Sequence, residues 1–225
     1  MSDVATVSLE LRSDTALAGL RRRSGIVDID VVHDDDGLVY IPGRRLKGLL
    51  RDAWRQMSPH FPELEGSALA LFGGPGETGW EAEGRDFSDA VLPDDVASWL
   101  RWAVRRSSPD PAPLSPVQVL DGLTVVRHTT ARDRALGGAP ADGSLRAVRL
   151  VRRGLRFEST VLLGRGVERD RSARVLAMAA SNLRELGLGR SRGRGWVTAT
   201  MSAEANDGQS HDTRWWVNQC REPSR

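Results

Sequence analysis

Lysine is almost absent from this chain, with Lys47 standing alone among 32 basic residues. Cysteine is just as scarce. Cys220 is the only one, so neither a disulfide framework nor a cysteine-built zinc site can form within one chain. Aromatic residues make up 5% of the sequence, and no paired aromatics mark the central strands on which RNA-recognition folds stack bases. No apolar run approaches the roughly 20 residues that a spanning helix needs. The opening residues, MSDVATVSLELRSD, lack the basic-then-apolar layout of a secretory signal, so the expectation is a cytoplasmic protein without membrane contact. His33, His60, His128 and His211 are scattered without H-x-x-x-H spacing, which leaves a zinc hydrolase unsupported. No serine has a nucleophile-elbow setting.

What remains is arginine in clusters. At 225 residues the chain is long enough for one large domain with a real core. The net charge of +2 would not by itself point to nucleic acid. The groups Arg21-Arg22-Arg23, Arg44-Arg45, Arg152-Arg153 and Arg190/Arg192/Arg194, however, all sit near glycines or turns. Arginine's planar fork binds phosphate through two parallel hydrogen bonds and stacks on bases. A GC-rich genome also favours arginine codons, so the clustering argues more than the count.

Residues 4–12 alternate apolar and polar, which predicts a half-buried strand. Residues 26–32 read as a second strand, followed by the acidic turn Asp34-Asp35-Asp36-Gly37. Leu46, Leu49, Leu50, Ala53, Trp54 and Met57 keep the three-four spacing of a core-facing helix over about 44–57. A strand is expected at 87–92, a helix over 94–106, and no regular structure in the proline-rich 107–116. Residues 123–132 and 145–163 read as long strands around a polar tip, a protruding hairpin. A helix over 170–186 is expected to end at Gly187, with a last strand at 196–201. That order predicts an α+β, ferredoxin-like (RNA-recognition-motif-like) βαββαβ core with inserted loops and a protruding thumb hairpin at about 123–150. The expected organisation is a single domain over 1–203 and a polar, frayed tail over 204–225, in which only Trp215-Trp216-Val217 would dock.

Two turns carry the chemistry. Tyr40-Ile41-Pro42-Gly43 opens a helix whose first turns hold Arg44, Arg45, Lys47 and Arg51, where acidic residues would suit the helix dipole better. Free amides at a helix start with cations beside them form an anion site. The second is Gly187 to Gly195, which fails the dinucleotide fingerprint because Arg192 stands at the third glycine position. It reads instead as a loop of exposed amides with Arg190, Ser191, Arg192 and Arg194, suited to a phosphodiester chain. The aspartates at 28, 30 and 34–36 could supply oxygen ligands to a divalent ion, but 34–36 read better as a solvated turn. Asp28 differs, lying inside an apolar run shortly before the arginine-bearing turn.

In this order, these residues resemble the CRISPR-associated RAMP superfamily, and within it the repeated backbone subunit (Csm/Cmr-like, Cas-seven-type) of type III effector complexes. Tyr40 to Arg51 is similar to the family's "IPGSSLKG-x-x-R" element, Leu71-Phe72-Gly73 to "LFG", and Phe87-Ser88-Asp89-Ala90 to "F-x-D-A". Thr129 to Ala139, with Arg132-Asp133-Arg134, resembles the thumb segment, and Gly187 to Gly195 the terminal glycine-arginine loop. The resemblance implies copies stacked along a guide RNA, contact with target RNA and with other CRISPR-associated subunits, and metal-dependent (Mg2+ or Mn2+) cleavage of the paired target. It places the catalytic and metal-binding role on Asp28, by alignment with an "ID-x-P-V" loop whose proline position is Asp30 here, a weaker second candidate. RNA contacts would fall on Arg44, Arg45, Lys47, Arg51, Arg132, Arg134, Arg190, Ser191, Arg192 and Arg194. The competing readings are a catalytically inactive RNA-binding subunit, a guide-processing endoribonuclease and, from another class, a phosphate-binding small-molecule enzyme.

Overall fold

A computed structural model describes residues 3–18, 27–74, 86–107, 110–130, 132–133, 139–140, 144–189, 193–205 and 207–220. Its centre is the strand β1 (Val4–Leu11), paired antiparallel on one side with β6 (Arg156–Leu162) and on the other with β7 (Val197–Glu204). Register places Val7 opposite Ser159 and Met201, and Leu9 opposite Phe157 and Ala199. The alternation read from the sequence thus becomes a two-faced sheet. Ala5, Val7, Leu9 and Leu11 are buried with Phe157, Val161, Ala199 and Met201. Thr6, Ser8, Glu10, Glu158, Thr160, Thr200 and Ser202 alternate with them on the opposite face. That face offers hydroxyls and carboxylates, not stacking rings.

Two helices bring their apolar residues into the same core as the buried face. From α1 (Gly43–Arg55) come Leu46, Leu50, Ala53 and Trp54, and from α5 (Gly166–Asn182) an almost continuous buried run from Val175 to Ala180. Leu46 and Leu50 are fully buried, each stabilising the fold by about 1.5–3 kcal/mol. The segment 86–92 runs beside β6 through the bridges Phe87–Val161 and Val91–Glu158, and touches Ile41 at Ala90. The sheet order is therefore 86–92, β6, β1, β7, then the short edge strand β8 (Ser210–Asp212). This is the strand order of the expected ferredoxin-like core, with one strand reduced to bridges.

The remaining elements are insertions. Helices α2 (Glu65–Phe72), α3 (Asp94–Arg105) and α4 (Pro116–Leu123) lie between α1 and the hairpin. The hairpin itself pairs β2 (Thr124–Thr129) with β5 (Arg146–Val151) at its root and β3 (Arg132–Asp133) with β4 (Ala139–Pro140) farther out.

Several expectations are corrected. The described part of the expected strand 26–32, residues 27–32, does not form one. Among the described ones, 29 and 31 make isolated bridges to Val148 and Ala18, the Ile29 amide donating to the Ala147 carbonyl and the Val32 amide to the Leu17 carbonyl. The expected long strand 145–163 is two strands divided by a turn at Arg152–Leu155, where the chain leaves the hairpin for the main sheet. The helix expected to reach 186 ends at Asn182, since 184–186 pair back on the start of β7, with Val197 N–H donating to Arg184 and Leu186 N–H to Gly195. Helices α2 and α4 were not foreseen; α4 begins with a capping box in which Ser115 and Gln118 satisfy each other's amides. The tail beyond Ser202 carries regular structure within its described residues, 203–205 and 207–220. β7 continues to Glu204, β8 pairs with it, and α6 (Thr213–Asn218) seats Trp216 in the core. His211 stacks on Trp215 at 3.9 Å and contacts Asp207 at 2.7 Å; the Gln209 amide, then His211, hold the Asp207 carboxyl below the usual carboxylate range.

Candidate nucleic-acid interface

Both arginine-bearing turns fasten onto one short segment, Thr15–Ala18, directly after β1. From the C-terminal loop, the Leu188 amide donates to the Ala16 carbonyl at 3.0 Å. From α1, the Arg45 guanidinium donates to the Ala18 carbonyl. The thumb root joins them, since Thr15 and Val151 exchange both backbone hydrogen bonds, at 2.9 and 2.8 Å. Sequence positions near 16, 45, 150 and 188 are thereby brought together around the end of one strand.

Between thumb root and glycine loop lies a groove of about 520 Å³ lined by Ala16, Ile29, Val148 and Leu188, with Thr129, Thr130, Ser144, Arg146, Gly189 and Arg194 completing it. The volume falls within the roughly 300–1,000 Å³ of small-ligand sites. An apolar floor bordered by hydroxyls and two guanidinium groups can receive a base and sugar while the guanidinium groups meet the phosphates.

Asp28 precedes Ile29, which lines this groove, and is held by the thumb. Its amide donates to the Ala147 carbonyl at 2.9 Å, and its Oδ2 accepts the Ala147 amide at 2.8 Å. The residue is exposed, which leaves the other carboxylate oxygen open to a reacting group. Asp30, the second candidate, has a different fate. It is buried, its Oδ1 lying 3.1 Å from Arg149 Nε and accepting the Val31 amide, so it is removed from the groove.

The expected anion site at the start of α1 is also corrected. The Gly43 amide already donates to the Asp89 carboxylate at 2.8 Å, and that fixed negative charge would oppose a phosphate. The approach is possible because position 43 is glycine; a Cβ there would lie 2.1 Å from the Phe87 carbonyl oxygen. Around this start, Arg44 is exposed, Lys47 is half-buried, and Arg51 reaches the Gly74 carbonyl at 3.4 Å. Only the backbone of Arg132 is described, and Arg134, Arg190, Ser191 and Arg192 lie outside the described residues. Arg194 is described and lines the groove.

The acidic turn 34–36 is partly solvated, Asp35 being exposed, while Asp34 and Asp36 are half-buried and tied to arginines. Asp34 Oδ1 accepts the amides of Asp36 and Leu38, while Arg101 and Arg105 from α3 pair with the two carboxylates. Among the described residues no three His, Cys, Asp or Glu side chains cluster to hold a metal. With one Asp28 oxygen engaged by Ala147, the described residues do not build a resident metal site.

Sequence reading missed Arg146 and Arg149. Both sit on β5, and the available signal was a charge inside the apolar run Ala147-Val148-Arg149-Leu150-Val151, the mark of a buried, paired arginine.

The family model of the RAMP superfamily matches residues 9–198, and the chain belongs to that superfamily. No curated protein matches the sequence. Among solved structures, the fold is similar to a chain of a type III-B Cmr-beta complex bound to cognate target RNA, at TM-score 0.63 and 13% identity, covering 95% of this chain and 98% of that one. It is also similar to a chain of the apo state of Cmr-beta, at TM-score 0.61 and 14% identity over 87% and 96% of the two chains. A chain of a type IV-B CRISPR complex has TM-score 0.54 and 18% identity over 98% and 100%.

Proposed function

We propose that this chain is a backbone subunit of a type III CRISPR effector complex that holds guide RNA and cleaves the paired target RNA at Asp28. One observation carries the reading: the thumb root, the glycine-arginine loop and Ile29 line one groove with Arg146 and Arg194, and Asp28, the residue before Ile29, is tied to the thumb at Ala147. Membership of the RAMP superfamily and the fold shared with Cmr-beta and type IV-B chains support it.

The chemistry needs a nucleotide held so that its ribose 2′-hydroxyl lines up with the adjacent phosphorus. The open Asp28 oxygen takes the hydroxyl proton, the 2′-oxygen bonds to phosphorus, and the bond from phosphorus to the 5′-oxygen breaks. The products are a 2′,3′-cyclic phosphate and a 5′-hydroxyl, the latter protonated from water. Arg146 and Arg194 would balance the charge that builds on the phosphoryl oxygens. The donor set gives no reason to route a step through a metal, so the dependence on Mg2+, Mn2+ or chelator belongs to the test. The complex, purified with its bound guide, is incubated with end-labelled complementary RNA. The expected result is cutting at regular intervals with cyclic-phosphate ends; intact target under every metal condition would end the cleavage reading.

A second reading, an inactive RNA-holding subunit, is favoured by Asp28's use as a structural tie to Ala147. The guide-processing reading gains nothing, as His33 turns its Nδ1 to the Asp34 carbonyl and His60 is exposed.

RNA holding is tested separately. Arg194→Ala and Arg146→Ala are each expected to weaken RNA binding regardless of sequence. Each should also make the plot of log affinity against log salt shallower by about 0.7–0.9, the change that follows when one fewer phosphate is neutralised. Unchanged slopes in both variants would remove the groove from the RNA path.

A further inference from the structure

We infer that Arg149 is a positioning residue for Asp28, fastening the 28–31 loop to the thumb through the carboxylate of Asp30. The inference rests on the cleavage reading above for its effect on catalysis, but its structural basis is independent of it. Arg149 lies on β5 with its side chain 8% exposed, and it meets three separate elements. Its Nε is 3.1 Å from Asp30 in the loop, and its Nη1 donates to Asp121 on α4 at 2.7 Å and to Thr124 at the start of β2 at 3.1 Å.

The backbone around it makes the same connection. The Asp28 and Ile29 amides both donate to the Ala147 carbonyl, at 2.9 and 3.2 Å, and the Arg149 amide donates to the Ile29 carbonyl at 2.9 Å. Ile29 and Val148 form a parallel bridge. The loop thus lies along the edge of β5 opposite β2, joined there by an isolated bridge. Nothing in its own sequence holds it there, because Asp28-Ile29-Asp30 has no proline to restrict it. A buried ion pair closes the pairing one residue beyond Ile29, and it closes only if Asp30 faces inward. Asp28, two residues earlier, then lies on the same side of the extended segment as Asp30, with its Oδ2 on the Ala147 amide. Asp30 and Arg149 therefore fix which way the Asp28 carboxylate points, and a shift of about 1 Å in a reacting group can cost on the order of a hundredfold in rate.

The test compares Arg149→Met, Asp30→Asn, Arg149→Lys and the double variant Asp30→Asn/Arg149→Met in the assembled, guide-loaded complex. Hydrogen exchange at the Asp28 and Ile29 amides and single-turnover cutting are read together, with guide affinity and thermal unfolding alongside. Removing one partner of a buried pair is destabilising, whereas removing both is commonly tolerated, so the double variant separates misplacement from unfolding. The expected result is faster exchange at 28–29 and cutting slowed by about ten- to a hundredfold in Arg149→Met and the double variant. Guide affinity should stay within about twofold, and Arg149→Lys should recover part of both signals. Parental exchange at 28–29 in both Arg149→Met and Asp30→Asn would overturn the inference, as would parental cutting despite faster exchange. A parental complex that does not cut, with exchange still faster in the variants, sinks the cleavage reading and leaves Arg149 as the loop's fastener.

Discussion

Asp28→Ala is expected to reduce target cleavage by about 10²–10⁴-fold, the range a positioned proton acceptor contributes, while guide and target RNA remain bound. The expectation follows from how little else Asp28 does. It is exposed, its backbone hydrogen bond to the Ala147 carbonyl survives truncation, and only the bond from the Ala147 amide to its Oδ2 disappears. A surface change of that kind costs the fold on the order of 1 kcal/mol, too little to disassemble a complex. Asp28→Asn sharpens the test. Its amide oxygen can still accept from Ala147, so the loop keeps its place, but it cannot take up the 2′-hydroxyl proton. Both variants should therefore bind and fail to cut. Parental cutting by Asp28→Asn would mean that the side chain only orients, and parental cutting by Asp28→Ala would mean that the reacting group lies elsewhere.

The parts legible in the sequence were those whose signal is local. Alternation over 4–12 gave β1 because one face of that strand is buried and the other is not. The spacing of Leu46, Leu50, Ala53 and Trp54 gave α1 for the same reason. The site was half legible. Asp28 and the C-terminal arginine loop could be singled out by their surroundings in sequence, and Arg194 does reach the groove. The amide-bound anion site at Gly43 could not be checked from the sequence, because the carboxylate that fills it, Asp89, is 46 residues away. The fate of Asp30 was hidden likewise. A carboxylate followed by valines reads as half-exposed strand, and only the fold shows Arg149 arriving from the hairpin. Helix α5 illustrates the same limit, since 184–186 continue its helical spacing but pair instead with a strand that follows the loop.

Those long-range pairings explain why the arginine loop needs its glycines, and why they are not equivalent. Gly193 and Gly195 both have positive φ, 70° and 84°. A Cβ at 193 would meet nothing within 4 Å, whereas at 195 it would fall 2.0 Å from the Leu186 carbonyl oxygen. Gly193→Ala should therefore cost only the left-handed backbone penalty, about 1–2 kcal/mol. Gly195→Ala adds a backbone clash that no side-chain rotation can relieve. It must break the hydrogen bond from the Leu186 amide to the Gly195 carbonyl, 2.8 Å long, which seats the loop against the core. A loss of about 3–5 kcal/mol is expected, large enough to rank with buried-core truncations. Urea unfolding of the two variants should separate their midpoints clearly, with Gly195→Ala far lower. RNA affinity should fall more in Gly195→Ala as well, because Arg194 is carried by the backbone that moves. Equal midpoints would show that the loop gives way at little cost, and that the groove beside Ile29 has no fixed wall on its arginine side.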